Sequence, residues 1–258
     1  ISADNRYMVF TVCTFDEATA KQNCDLYFTT YQYGSWGPIS PLTATINNPN
    51  SWESQPSLSP NGDVLYFTSD RPGGFGGLDL YQSTRLPDGS WAPAKNLGPV
   101  VNTKNNEKSP FIHMDSESLY FASDGHVGLG GYDLFKTNAL SQEPYWTKPV
   151  NLGYPINSEE DEIGLSVTLD GKQAYFASNK INAAQGWDIY FFDLHEAIKP
   201  KEVVFVKGKV QVFDASSTAT DVVLRDANSG SEVHLQVSEE DQSFSAIVQT
   251  EKASTTVI

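Results

Sequence analysis

"LYFTSDRPGGFGGLDLY", Leu65 to Tyr81, alternates apolar and polar residues, breaks into a glycine-rich loop, and then alternates again. Two period-two runs around a polar, glycine-rich interruption make the pattern of two strands joined by a turn. The chain repeats it. "LYFASDGHVGLGGYDLF" (Leu119–Phe135) and "AYFASNKINAAQGWDIY" (Ala174–Tyr190) follow at a period of about 54 residues, and a partial copy, "RYMVFTVCTF" to "CDLYFTT", occupies the N-terminus. The connecting segments recur too: "GSWAPAKNLGPVVNT" returns as "PYWTKPVNLGYPINS" and, more faintly, precedes as "GSWGPISPLTATINN".

Each unit holds four short alternating runs separated by Gly, Pro, Asn and Asp clusters, and helical spacing is nearly absent. This is the sequence form of a four-stranded antiparallel blade, and blades in series make a β-propeller that buries both faces of its sheets. In the unit around the opening stretch, "QPSLS" reads as the inner strand, "DVLYFTS" as the second, "LDLYQST" as the third and "GSWAPAKNL" as the outer one. The expected fold is all-β: a propeller of four-stranded blades over residues 1–198, followed by a small β-sandwich over residues 199–258. Four copies are visible and two are complete. The first lacks its inner strand and the fourth its outer one, so the ring is expected to be completed by material preceding Ile1, to five or six blades with four as the fallback. An unclosed propeller would expose strand edges, an aggregation hazard.

The glycine loop is expected to be a long turn. A phosphate-binding loop needs a helix to follow, and here a strand follows; the lysine of that motif is missing as well. Gly73, Gly74, Gly76 and Gly77, matched by Gly128, Gly130 and Gly131, are expected to supply positive φ angles. Asp25, Asp79, Asp133 and Asp188 recur at the start of the third strand, where a carboxylate can accept hydrogen bonds from turn amides.

Composition limits the function classes. The formal charge of −15 argues against nucleic acid or an anionic membrane surface as the main partner, since both are held by basic side chains. No apolar run approaches the roughly 18 residues that would span a bilayer. Cys13 and Cys24 lie on neighbouring strand-like runs. They are either a disulfide across a hairpin, the expected pairing, which indicates an oxidising compartment, or two buried thiols.

Units of the form "LYFTSDRPGGFGGLDLY", with "SPNG" before them and "W...NLG.PIN" after them, resemble the WD-like propeller repeats related to TolB. The series "WESQPSLS", "EKSPFIHMDS", "DEIGLSVTLDG" and "FVKGKV" is similar to one subgroup, the OmpA-family envelope proteins of Bacteroidota. The resemblance implies a propeller followed by a carboxypeptidase-regulatory-like sandwich and an OmpA-like peptidoglycan-binding domain. It also implies a periplasmic location associated with the outer membrane. One member type is the peptidoglycan-anchored component of type IX secretion. Peptidoglycan would then be bound only through a domain outside this chain. The sandwich departs from the family pattern, since its turn "EEDQSFSA" lacks the expected glycine.

Catalytic signatures are missing. "LPDGSW" (Leu86–Trp91) resembles the aspartate box of sialidases but lacks the residue between Asp88 and Gly89, and only Arg6, Arg71, Arg85 and Arg225 are available for an arginine triad. Glu53, Glu107 and Glu162 occupy equivalent positions in successive units, as scaffold residues do, rather than forming one glycosidase pair. His113, His126, His195 and His234 lack metal-ligand spacing, and calcium on Asp70 and Asp124 would lack the EF-hand pattern. No catalytic residue, cofactor or metal is therefore expected. Binding leads, with envelope proteins as partners and a glycan-binding or glycan-cleaving propeller as the alternative. Equivalent loops differ at Arg71, Phe75, His126, Leu129, Ile181 and Trp187, which are the candidate partner contacts. Trp52, Trp91 and Trp146 are assigned to blade packing.

Overall fold

The computed structural model describes residues 1–17, 21–143, 145–180, 186–211, 221–226, 232–238, 241–249 and 255–257. Its first four units are blades of a β-propeller. Blade 1 comprises β1 (Tyr7–Asp16), β2 (Lys21–Gln32), β3 (Ser35–Trp36) and β4 (Ser40–Pro41), the last two both pairing with β2. Blade 2 runs in the order β5 (Glu53–Leu58), β6 (Val64–Ser69), β7 (Asp79–Thr84), β8 (Lys95–Asn96). Blade 3 repeats it with β9 (Glu107–Ile112), β10 (Ser118–Ser123), β11 (Asp133–Asn138) and β12 (Val150–Asn151). Blade 4 holds β13 (Glu162–Val167), β14 (Gln173–Ser178) and β15 (Asp188–Asp193). All the pairings are antiparallel, and the opening stretch is the β6–β7 hairpin, with Ser69 opposite Asp79. Among the described residues no helix is long and apolar enough to cross a membrane.

Alternation along each strand sends one set of side chains to the preceding blade and one to the following blade. Blades 1 and 2 enclose Val9, Leu26, Ile46, Leu65, Phe67 and Trp91. Blades 2 and 3 enclose Tyr66, Leu80, Val101, Leu119, Phe121 and Trp146, and blades 3 and 4 enclose Tyr120, Leu134, Ile156, Leu165 and Phe176. Trp91 and Trp146, from the outer edges of their blades, reach across to Tyr7 and Tyr66 of the blade before. Every inner strand is bulged at one equivalent residue with positive φ: Gln55 (54°), Ser109 (53°) and Gly164 (65°). At that bulge the blades are stitched together, because the Gln55 amide donates to Thr11 Oγ1 and Gln55 Oε1 accepts from the Ser109 amide at 2.9 Å.

After blade 4 the segment from Leu194 crosses back over blade 3. Ile198, in a short 3₁₀ turn, is 1% exposed within the core between blades 3 and 4. The Tyr120 hydroxyl donates to the Ile198 carbonyl at 2.6 Å, and the Lys201 amide donates to Asp115 Oδ2 at 2.9 Å. Burial pushes the Asp115 carboxyl up, but hydrogen bonds that include the Ser118 and Glu117 amides outweigh it and hold it well below the usual carboxylate range. This polar-looking linker is thus a strap across two blades. Beyond it, β16 (Val203–Lys209) pairs with β19 (Ser243–Gln249), and β17 (Asp221–Asp226) pairs with both β18 (Glu232–Gln236) and β20 (Thr255–Val257). Arg6 of blade 1 meets this unit through Asp241, at 2.7 Å.

Cys13 and Cys24 stand directly opposite each other on β1 and β2, their sulfurs bonded at 1.99 Å. Closing a loop of about a dozen residues is worth about 2–3 kcal/mol in the chain-entropy account. Changing both cysteines to serine should lower the stability of the chain by that amount, read from the denaturant midpoint with and without reductant. An unchanged midpoint would mean that the hairpin ladder alone holds blade 1.

Candidate functional site

The loops between second and third strands lie at one end of the blades, and three of them carry the sequence-derived candidates. Their starts are built alike in blades 2, 3 and 4. Asp70 Oδ1 accepts the Trp52 amide, Asp124 Oδ1 the Asn106 amide and Asn179 Oδ1 the Asp161 amide, so the loop start is tied to the turn that enters the inner strand. Asp79 accepts the Phe75 and Gly76 amides, and Asp133 accepts the Leu129 amide. Asp70 and Asp124 therefore hold loop amides. Among the described residues no group of three or more potential metal ligands is present.

The glycines act differently from the expectation. Of the seven, only Gly73 has a positive φ, 91°. The others are required for close approach. A Cβ on Gly74 would collide with the Asp79 carboxylate, and one on Gly128 with that of Asp133. On Gly76 it would meet the backbone carbonyls of Thr103 and Asn105, and on Gly130 the backbone of Glu159. Each loop leans on the entry turn of the next blade, where the Gly77 amide donates to the Asn105 carbonyl at 2.7 Å and the Gly131 amide to the Glu160 carbonyl at 3.1 Å. The missing side chains make room for a neighbour rather than for a backbone angle.

Arg71 and His126 turn inward. The Arg71 guanidinium lies over the rings of Phe67 and Tyr81, donates to the Ile46 carbonyl and pairs with Glu53 at 3.2 Å. The His126 ring packs against Phe121 and Phe135 and its Nε2 donates to the Val101 carbonyl at 2.7 Å. Lys180 completes the series over Phe176 and Tyr190, donating to the Pro155 carbonyl at 3.3 Å. A basic side chain thus caps an aromatic pair in three successive blades. These two candidates are scaffold and are withdrawn from the contact set.

Beneath the cap lies a buried carboxylate. Glu53, Glu107 and Glu162 are each fully inaccessible. Each receives one hydroxyl from the end of the second strand, Ser69, Ser123 or Ser178, at 2.7 Å. Each also accepts a backbone amide from its own entry turn, Asn48, Thr103 or Ser158. Burial raises the Glu107 carboxyl, against the pull of the Ser123 and Thr103 hydrogen bonds. The positions were legible as scaffold from their recurrence.

A second recurrent group escaped the sequence reading. Asn47, Asn102 and Asn157 each place Oδ1 on a third-strand amide (Leu26, Leu80, Leu134) and Nδ2 on the carbonyl of the same leucine. Each asparagine pairs with the strand as a backbone residue would. The available signal was the asparagine shared by "TINN", "VVNT" and "PINS".

Several apolar side chains remain exposed on the loop end. Phe75 is 49% exposed, Leu129 53% and Trp187 48%, with Val127 standing almost free beside Leu129. Ile181 lies outside the described residues. Asp70, Lys104 and Glu159 are exposed at this end as well, whereas Asp124 and Asp161 are half-buried and accept the Asn106 and Tyr132 amides. A separate cleft of ≈ 1440 Å³ opens between blade 1 and β19, lined by Arg6, Tyr31, Tyr33, Trp36, Arg85 and Phe244 among others.

No family model and no curated protein matches the chain. Among solved structures, TolB from Acinetobacter baumannii is similar over 95% of this chain and 55% of its own, at 12% identity and a TM-score of 0.48. The tricorn protease is similar over 75% and 20%, at 11% and 0.47, and a Mycobacterium tuberculosis puromycin-hydrolyzing peptidase over 91% and 36%, at 16% and 0.46. The chain therefore spans about half of the TolB structure and less of the other two. Likeness at this level says nothing about activity.

Proposed function

We propose that the chain is a non-catalytic interaction scaffold whose loop end grips a partner protein. The observation that carries this is the exposure of apolar side chains at the loop end: Phe75 and Leu129, at equivalent positions of glycine-packed loops on blades 2 and 3, and Trp187 on blade 4. Exposed apolar anchors suit an interface, and the tightly packed loops of blades 2 and 3 lose little freedom on binding. The carboxylates that could serve glycoside hydrolysis are enclosed and saturated with donors, which supports the non-catalytic reading.

The finer reading places the chain in the periplasm, associated with the outer membrane and belonging to an envelope complex of the type IX secretion or gliding kind. It rests on the OmpA-family resemblance of the repeats, and the Cys13–Cys24 bond suits an oxidising compartment. A second reading, glycan binding, is favoured by Tyr31, Tyr33 and Trp36 in the blade 1 cleft.

The test is affinity capture from a Bacteroidota envelope extract, with the wild-type chain and a Phe75→Ala, Leu129→Ala, Trp187→Ala variant as baits, beside a soluble-glycan binding and turnover screen. A specific envelope protein retained by the wild type and reduced at least tenfold by the variant is expected. Equal retention by both baits sinks the loop-end reading. Glycan turnover would overturn the non-catalytic assignment outright.

A further inference from the structure

The cleft between blade 1 and β19 gathers positive charge in an acidic chain. Against a formal charge of −15, its lining holds Arg6 and Arg85, two of the four arginines, together with Lys207 of β16. Arg6 is paired with Asp241 at 2.7 Å. Arg85 and Lys207 have no carboxylate within ion-pair distance among the described residues. The Arg85 guanidinium lies 4.6 Å from the centre of the Tyr7 ring, and its Nε donates to the Gly89 carbonyl at 3.4 Å, so the head group is fixed across the junction of blades 1 and 2. Lys207 comes from the other wall, at an exposed position of β16.

The same cleft carries acceptors. Asp4 and Asp241 line it, and hydrogen bonds led by the Ser243 hydroxyl hold the Asp241 carboxyl well below the usual carboxylate range, so that it stays an ionised acceptor. An anion made only of acceptor oxygens, such as sulfate, has no hydroxyl to give these carboxylates. A sugar acid has both groups, a carboxylate for the cations and hydroxyls for the acceptors. The volume of ≈ 1440 Å³ exceeds the roughly 300–1,000 Å³ of a site for one drug-sized ligand, which leaves room for several linked rings, and Tyr33, 85% exposed, adds an aromatic ring to the lining. We infer that this cleft binds a carboxylate-bearing oligosaccharide of the uronate type, its acid group taken by Arg85 and Lys207 and its hydroxyls by Asp4 and Asp241. This rests on the glycan reading of the cleft and names the charge that the glycan carries.

Calorimetric titration of the 258-residue chain with trigalacturonate, and with the methyl ester of the same trisaccharide, tests this at low salt. The acid should saturate one site and bind about tenfold more tightly than the ester, with an advantage that shrinks as salt is raised. Arg85→Gln and Lys207→Gln should each weaken the acid about tenfold and leave the ester unchanged. Arg85 covers Tyr7, so should Arg85→Gln melt early, Lys207→Gln at its exposed position decides. Equal affinity for acid and ester overturns the acid-group assignment and leaves the glycan reading standing. No binding of either overturns the inference, and the glycan reading then falls or stands on the soluble-glycan screen. Undiminished binding by Lys207→Gln overturns the site. Penta-aspartate bound as tightly as trigalacturonate would overturn the saccharide assignment and mark a site for acidic peptides.

Discussion

Replacing Glu53 with alanine should cost about 3–5 kcal/mol, the loss expected when one partner of a buried ion pair is removed and the other is left uncompensated. The Glu53 carboxylate is inaccessible and accepts from the Ser51 and Ser69 hydroxyls, the Asn48 amide and the Arg71 guanidinium, whose side chain is only 12% exposed. Alanine would strand all four donors. For a chain of this size the melting temperature should fall by roughly 10 °C. Glu53→Gln, which keeps an acceptor of the same shape, should lose less. Glu53→Ala combined with Arg71→Ala should lose less than the two single losses added together, because the second change removes the stranded charge. A single-variant loss under about 1 kcal/mol would mean that water reaches the site and that the carboxylate is not a structural post.

Asn102→Ala should cost about 3 kcal/mol, with the damage concentrated at one residue. Asn102 is 2% exposed and makes three hydrogen bonds: it accepts from the Leu80 amide at 2.8 Å and donates to the Leu80 carbonyl at 3.0 Å and to Asn96 Oδ1 at 2.8 Å. Leu80 is fully buried, so alanine leaves its amide and carbonyl orphaned, each at about 1–3 kcal/mol. Asn102→Asp is no rescue, since it turns an acceptor toward the Leu80 carbonyl. The sharper readout is hydrogen exchange, in which the Leu80 amide should lose protection in the alanine variant while amides of blade 4 keep theirs. Uniform loss across the propeller, or none at Leu80, would remove the strand-pairing role of this asparagine.

The strands were readable because alternation survives in every unit, and the β6–β7 hairpin follows directly from Leu65–Ser69 and Asp79–Tyr81. The turn role of Asp79 and Asp133 was readable for a similar reason, as carboxylate and amides lie within a few residues of each other. The glycines misled because a residue that needs positive φ and one that needs an empty Cβ look alike in sequence. The backbone that Gly76 must clear belongs to Thr103 and Asn105, in the following blade. Arg71 and His126 misled in the same direction. Their variation suggested a recognition surface, yet Arg71, His126 and Lys180 keep one property constant, a basic group over an aromatic pair. The strap was hidden because Ile198 is one apolar residue in a polar run, and its receptors, Tyr120 and Asp115, lie 78 and 86 residues away from the groups they bind.

That separation has a consequence for the order in which the molecule can be made. When the ribosome releases β11, the Tyr120 hydroxyl and the Asp115 carboxylate still await the Ile198 carbonyl and the Lys201 amide. At about 5–20 residues per second, Asp115 waits between roughly 4 and 17 seconds for its last donor to be synthesised. The third blade is therefore completed only after the fourth has emerged, and a nascent chain paused between them would hold two buried polar groups open to water.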